Sequence, residues 1–274
     1  MAALSRAVAA PFRVGPTDVP AEIWVAPLTG AGRSPVKGPF LTADWRYLAM
    51  LNFRVDARVI APFVPGGTEP DVWRGDTWIS LVGFRFLKTR LFGIPVPGHR
   101  HFPEINLRFY VRLRGADRRA VVFLKEIVPR RTIAAVARAA YNEPYVTRRM
   151  RVEGPATVDE APGRVAYAWR HQGRWNRFGV TADGPPAPLR DGSDEAFIAE
   201  HEWGYTRQRD GSTIEYRVEH PHWRVWSIRD VVFDVDVAGE YGPAFGEAMR
   251  GGPASALLAE GSEVRVGRPK LLVV

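Results

Sequence analysis

Residues 102–113 read Phe-Pro-Glu-Ile-Asn-Leu-Arg-Phe-Tyr-Val-Arg-Leu, an unbroken alternation of apolar and polar side chains from residue 104 onward. Ile105, Leu107, Phe109, Val111 and Leu113 fall on one side, and Glu104, Asn106, Arg108, Tyr110 and Arg112 on the other. A period of two specifies an extended strand with one buried face, because apolar positions on a helix recur every three or four residues instead. The polar side mixes an acid, an amide, a phenol and guanidinium groups. Such a row is either a solvated surface or the polar wall of a pocket inside a curved sheet.

The rest of the chain is punctuated in the same short rhythm. Residues 44–53 carry Trp45, Tyr47, Leu48, Met50, Leu51 and Phe53 and read as a strand or an entry helix with a buried side. Asp56 caps a short turn through Arg58 and Ile60, which Pro62 and Pro65-Gly66-Gly67 end. Residues 78–86 form a strand in which Gly83 marks a bulge. A Gly/Pro loop over 91–103 follows. Residues 121–128 are another strand, ended by Pro129. The clearest helix runs from Thr132, its cap, to Tyr141, and Glu143-Pro144 stops it. Further strands are expected near 151–158, 164–171, 214–220 and 223–237. A short helix over 194–200 is capped by Ser193, a second helical stretch covers 240–250, and the chain after Gly252 is expected to be loose until Glu263. Many short strands with few helices specify an α+β, mainly β domain, an antiparallel barrel spanning residues 39–274. An Ala/Pro/Gly-rich arm over residues 1–38 precedes it.

A chain of 274 residues can bury a large single core. No apolar run approaches bilayer length, and the opening apolar stretch is short and broken by Arg6, so a cytoplasmic protein is expected. The absence of cysteine excludes disulfides, thiolate metal sites and cysteine nucleophiles. A net charge of +8 raises nucleic acid as a partner, yet only four of the 38 basic residues are lysines. Arginine with abundant Ala, Gly and Pro reads as the composition of a GC-rich genome. The densest cluster, Arg148, Arg149 and Arg151 with Arg130 and Arg131 nearby, is a solvated face or a place for an anion.

Several blocks, taken in order, resemble the YqjF-like family, the domain of unknown function 2071. They are Trp45 with Leu51-Asn52-Phe53, Phe63-Val64-Pro65-Gly66, the segment from Trp78 to Phe84, the segment from Phe102 to Val111, Pro144-Tyr145, and His220-Pro221-His222-Trp223. The resemblance implies the fold of the acetoacetate decarboxylase-like superfamily, a strongly curved antiparallel barrel with a few short helices. Acetoacetate decarboxylase works through an imine formed by a lysine whose own pKa an adjacent lysine lowers. By the resemblance, Tyr145 and Val146 stand where those two lysines would be, and neither side chain can form an imine. Of the four lysines here only Lys125 lies within a strand, on the face of Val121, Phe123 and Ile127. The competing reading is a rim lysine that reaches solvent.

On the polar face a ligand can touch Glu104, Asn106 and Arg108 together. Arg108 offers two parallel donors to a carboxylate, Asn106 donates and accepts, and Glu104 becomes a general base if burial raises its pKa. The competing reading is a structural Arg–Glu network or a wet surface. Tyr145 and His220 join Glu104 as candidate acid–base groups, and Tyr110, Arg85 and Trp223 join Asn106 and Arg108 as candidate ligand contacts. Two His-X-His pairs, His99/His101 and His220/His222, have chelating spacing, but each is tied to prolines, and neither a metal nor another cofactor is expected. Three functions remain open: a small-molecule-binding barrel that handles a carboxylate or keto compound without an imine, a non-enzymatic binding protein that keeps the barrel, and a basic nucleic-acid-binding surface. Oligomeric state is left open by the sequence.

Overall fold

The computed structural model describes residues 38–155 and 162–273. The arm expected over 1–38, apart from residue 38, and the last part of the strand expected near 151–158 lie outside the described residues. In chain order the strands are β1 (Leu41–Val55), β2 (Thr68–Pro70), β3 (Thr77–Leu91), β4 (Ile94–Pro95), β5 (Phe102–Leu113), β6 (Arg119–Val128), β7 (Tyr145–Thr147) and β8 (Arg149–Glu153). They continue as β9 (Arg164–His171), β10 (Arg174–Pro188), β11 (Trp203–Arg207), β12 (Thr213–Glu219), β13 (Arg224–Asp234), β14 (Ser255–Ala259), β15 (Glu263–Val266) and β16 (Lys270–Leu271). The helices are short: α1 (Ala57–Ile60), α2 (Arg131–Tyr141), α3 (Asp194–Ala199), α4 (Val237–Tyr241) and α5 (Pro243–Ala248).

Strands β3, β5, β6, β11, β12, β15 and β1 pair in that order, and β1 pairs back onto β3, so seven strands close into a barrel. Every junction is antiparallel except that of β6 with β11. Closure removes the exposed edges that such a sheet would otherwise present. Strand β1 is long enough to serve two neighbours, with residues 41–44 on β15 and residues 48–52 on β14. From β14 the sheet continues through β13, β10, β9 and β8. This extension packs against the outside of the barrel wall, which is why β5 is buried on both faces. Ile105, Leu107 and Phe109 join Tyr167, Trp169 and Phe178 of the outer layer. Phe102 and Tyr110 join Val82, Phe84, Val121 and Tyr216 in the interior. The polar face of the alternating strand therefore points into the barrel.

Two local irregularities aim side chains. Between Arg46 and Ala49 strand β1 carries one residue more than its partner segment Gly83 to Arg85, and Tyr47 there adopts φ 55°. The bulge expected at Gly83 thus lies on the strand opposite it. Gly83 itself makes room for the outer layer, since a Cβ at that position would meet the Tyr167 ring at 2.5 Å. The second irregularity is in β6, where Leu107 faces Lys125 but Arg108 faces Phe123, so one extra residue interrupts the alternation.

Asp56 and Ser193 cap α1 and α3 through their side chains. Helix α2 starts at Arg131 without a side-chain cap, because the Thr132 hydroxyl is engaged with His99 Nε2 instead. The helical stretch expected over 240–250 is split into α4 and α5 by Gly242 at φ 102°. The segment expected to be loose after Gly252 contains β14, held between β1 and β13. Strand β10 was not visible in the sequence, since its second half, from Gly184 to Pro188, carries the Gly and Pro residues of a loop.

Replacing Gly83 by Ala should force Tyr167 off the barrel wall and cost about 1–3 kcal/mol in urea-denaturation stability. An unchanged midpoint would contradict the close approach.

Candidate functional site

The barrel encloses a cavity of about 240 Å³. Its layers follow the register of β5. Glu104 lies beside Phe84, Asn106 beside Val82 and Glu126, and Arg108 beside Ser80 and Phe123. With alternate residues roughly 6.5–7 Å apart, Glu104 and Arg108 stand about 13 Å apart along the strand. At the lower end the cavity is bounded by Arg108 and His201. Helix α3 lies beneath, held by Arg108 Nη2 donating to the Ile198 carbonyl (3.0 Å) and by the Arg119 guanidinium against the Phe197 ring. The upper end is aromatic: Phe86 stacks on Phe102 at 4.6 Å, and Trp45 meets Phe84 edge-on. Ile133 and Ala137 of α2 complete it.

Between these ends lies a cluster of three carboxyl groups, Glu104, Glu126 and Glu143, each less than 7% exposed as a residue (3%, 2% and 6%). The Tyr145 hydroxyl donates to Glu104 Oε2 (3.1 Å), and Asn106 Nδ2 lies 3.5 Å from Glu104 Oε1. Tyr216 and Thr206 donate their hydroxyls to Glu143 Oε1. Glu126 and Glu143 share a hydrogen bond, which requires a proton on one of them. No Lys or Arg among the described residues is paired with any of the three. Burial, with the neighbouring Glu143 charge, pushes the Glu104 carboxyl up to about 8. Burial also lifts Glu143 to about 7 against the hydroxyls that bind its charged form. Glu126 is raised well above the carboxylate range by burial and by both other carboxylates. The Tyr145 and Tyr216 phenols are raised too, chiefly by burial and then by the carboxylates. The cluster therefore holds shared protons near neutral pH, with acid and base forms side by side.

Several buried polar atoms of the cavity wall lack partners among the described residues: Asn106 Oδ1, Glu126 Oε2, Arg108 Nε, both ring nitrogens of His201, and Trp45 Nε1. Burial, followed by the Arg119 and Arg108 charges, drives the His201 pKa well down, so its neutral ring offers one donor and one acceptor. Unpaired buried groups cost free energy, and that cost is relieved when a ligand supplies the missing halves.

Of the residues singled out in the sequence, Glu104, Asn106, Arg108 and Tyr145 come together on this wall. Tyr110 faces inward one step below Arg108, where its hydroxyl meets Ser80 Oγ at 2.6 Å and its ring lies against His201. Arg85 stands on the outer face instead, donating to the Pro155 carbonyl. It is an odd number of residues from Trp78 along an unbroken strand, so the two face opposite ways. His220 lies stacked on Trp223 at 4.0 Å outside the cavity, and Trp223 Nε1 donates to Ser262 Oγ. Lys125 points outward, since the extra residue in β6 reverses its face, and it pairs with Glu240 of α4 at 3.1 Å. Lys88 pairs with Asp44 and Lys270 is exposed, so none of the three described lysines lines the cavity. His99 is taken up by Thr132, and His222 pairs with Glu200.

Glu126, Glu143, Tyr216 and His201 are the wall residues that sequence reasoning passed over. Glu126 faces inward only because of the irregularity in β6. Glu143 reads as a helix stop, yet Asn142 turns the chain at φ 55° and Pro144 keeps Glu143 extended, which swings its carboxyl inward. Isolated acids inside apolar segments were the available signal.

The closed seven-stranded barrel with its mixed polar and aromatic hollow is of the acetoacetate decarboxylase-like class of fold. Within that class, the chain belongs to the domain of unknown function 2071 family, described as an uncharacterized conserved protein, whose model matches residues 42–263. The uncharacterized protein YqjF of Bacillus subtilis is 32% identical over 110 residues, 40% of this chain and 45% of that one. The match thus spans less than half of that relative's length. Among solved structures, acetoacetate decarboxylase from Legionella pneumophila is 10% identical with a TM-score of 0.61, covering 86% of this chain and 88% of that chain. The enduracididine biosynthesis enzyme MppR, solved with pyruvate, is 17% identical with a TM-score of 0.60, covering 86% and 91%. An acetoacetate decarboxylase-like enzyme from Sphingomonas wittichii RW1 is 12% identical with a TM-score of 0.60, covering 86% and 94%. Among the described residues no helix is long and apolar enough to cross a membrane.

The raised carboxyls set a pH dependence. Unfolded glutamates lose their protons near pH 4.3, whereas the folded cluster keeps them to about pH 7–8, so the folded state binds more protons in that window and stability falls as pH rises through it. Glu104→Gln should flatten this slope and gain on the order of 1–3 kcal/mol at pH 8 relative to pH 5. Urea denaturation of both proteins at the two pH values measures it, and equal slopes would refute the assignment.

Proposed function

We propose that the barrel interior binds a small carboxylate bearing a carbonyl group and moves protons on it by acid–base chemistry, without an imine. The observation that carries this reading is the cluster of three buried carboxyl groups with no cation among them, facing a hollow whose other polar atoms are unmatched. The ligand carboxylate sits by Arg108, with neutral His201 as a second donor. In the middle layer a protonated member of the cluster gives its proton to the carbonyl oxygen while an ionised member takes one from the adjacent carbon. One C–H bond breaks and its electron pair becomes the C=C bond, the C=O π pair takes the delivered proton as a new O–H bond, and the cluster's proton count is unchanged. Tyr145 holds Glu104 in place for this exchange.

Two further observations support the class of ligand. MppR, which shares the fold, is described in complex with pyruvate and with a condensation product of pyruvate and imidazole 4-carboxaldehyde. No described lysine lines the cavity, so the covalent route of the decarboxylases has no nucleophile at hand. On this reading residues 39–274 act as one cytoplasmic barrel domain, and the surface arginines need no nucleic acid.

Pyruvate incubated with the protein in D₂O should exchange its methyl protons for deuterium, followed by NMR. Glu126→Gln should slow this by about 10²-fold or more, the usual worth of a positioned acid–base group. Binding that persists without exchange would make the protein a binder and not a catalyst. Separately, borohydride added with pyruvate should leave the protein's mass unchanged, and Arg108→Ala should abolish any pyruvate-induced rise in melting temperature. An adduct on Lys125 would reverse the argument against an imine.

A further inference from the structure

The cavity is graded along its length. Its lower end presents Arg108 and His201 beside Phe123, its middle the carboxyl cluster, and its upper end Trp45, Phe84, Phe86, Phe102, Ile133 and Ala137, with no acid, lysine or arginine among the described residues there. A two- or three-carbon acid anchored at Arg108 reaches the middle layer and stops there. Alternate wall positions are roughly 6.5–7 Å apart, so the aromatic chamber, which begins with Phe84 beside Glu104, lies two layers from Arg108. Volume leads to the same place. An apolar cavity of about 150 Å³ accommodates benzene. The roughly 240 Å³ here leaves pyruvate with unfilled space the size of a small ring. Apolar walls that meet nothing forfeit their dispersion contacts.

We infer that the ligand is a 2-oxo acid carrying a ring-sized apolar substituent, an arylalkyl or comparably bulky group, and that the chamber under α2 is its specificity pocket. This rests on the carboxylate-binding reading above and adds to it the part of the ligand that reading leaves undefined. Chain direction follows: carboxylate down, carbonyl against the carboxyl cluster, ring up between Phe84 and the inner side of α2.

Titration calorimetry of the full chain with pyruvate, phenylpyruvate and phenylacetone separates the two claims. Phenylpyruvate should bind at least ~30-fold more tightly than pyruvate, as expected for burying a ring against apolar walls. Ala137→Phe, on the partly buried face of a surface helix, places a ring in the chamber and should cost phenylpyruvate about tenfold or more while leaving pyruvate within about threefold. Equal affinity for pyruvate and phenylpyruvate overturns the specificity pocket and leaves the carboxylate site standing. Phenylacetone binding as well as phenylpyruvate leaves the pocket standing and overturns the carboxylate anchor. No binding of any of the three at millimolar concentration overturns both. Should Ala137→Phe unfold, Ala137→Val gives the same order of effects at smaller size, with circular dichroism confirming the fold.

Discussion

The structure turns on three carboxyl groups that have been taken out of water with no cation among the described residues to match them. An ionised carboxylate in an apolar interior is expensive, and a second and third nearby are more so. The only arrangement that tolerates them keeps protons on some and surrounds the rest with hydroxyl and amide donors. Tyr145, Tyr216, Thr206 and Asn106 supply those donors. The fold brings five separate strands and the turn after α2 to one point, and the outer sheet seals the wall behind them. An apolar lining would give a more stable barrel with nothing inside it to transfer a proton.

One residue of chain in β6 decides which acid is structural and which is not. Glu240, on α4, is fully buried outside the barrel and is met by Lys125 at 3.1 Å, Arg148 at 3.2 Å and Trp169 Nε1 at 3.0 Å. That carboxylate is matched on every side and pins α4 to the wall. Glu126 is the next residue after Lys125, yet it faces the cavity and keeps an oxygen without a partner. Without the extra residue near Leu124, Lys125 would enter the chamber and Glu126 would leave it. A lysine among Glu104, Glu143 and Tyr145 would be ionised, would neutralise the cluster, and would end its capacity to share protons.

How much of this the sequence disclosed follows from what strict periodicity can carry. The alternation from Glu104 to Leu113 named the strand and its polar row but left open a solvated surface or a pocket wall, and the structure turns Glu104, Asn106 and Arg108 of that row inward. The same rule of two failed wherever the backbone departs from it. Counting from Val121 put Lys125 on the face of Phe123, with a rim lysine as the competing reading, and passed over Glu126, while Trp78 and Arg85 differ in parity and so face opposite ways. His220 looked like part of an apolar row, but the strand ends at Glu219 and the ring turns out onto Trp223. His201 carries no periodic signal at all, since it sits in the link between α3 and β11. The closing contacts of the barrel, β1 with β3 and β6 with β11, join residues far apart in sequence, and no local pattern announces them.

The chemistry open to this barrel differs from that of an imine-forming one because of where positive charge is placed. An imine nitrogen puts a cation in direct conjugation with the bond that breaks, so it can take up the electron pair left by departing carbon dioxide. Among the described residues that line the cavity the one fixed cation, Arg108, is a layer away, and the proposed reading gives it the ligand's carboxylate. Electron density developing on a carbonyl oxygen in the middle layer meets carboxylic acids instead, and these stabilise it only by giving up a proton as it forms. An enolate left charged beside ionised carboxylates would be repelled, so proton removal at carbon and proton delivery at oxygen must occur together. That requirement is met when one member of the cluster is protonated and its neighbour is not, the condition that burial of Glu104 and Glu143 brings close to neutral pH, with Glu126 raised well above the carboxylate range beside them. On the proposed reading, a carboxyl cluster without a described lysine confines the chemistry to proton transfer next to a carbonyl, in which the carbon skeleton stays intact.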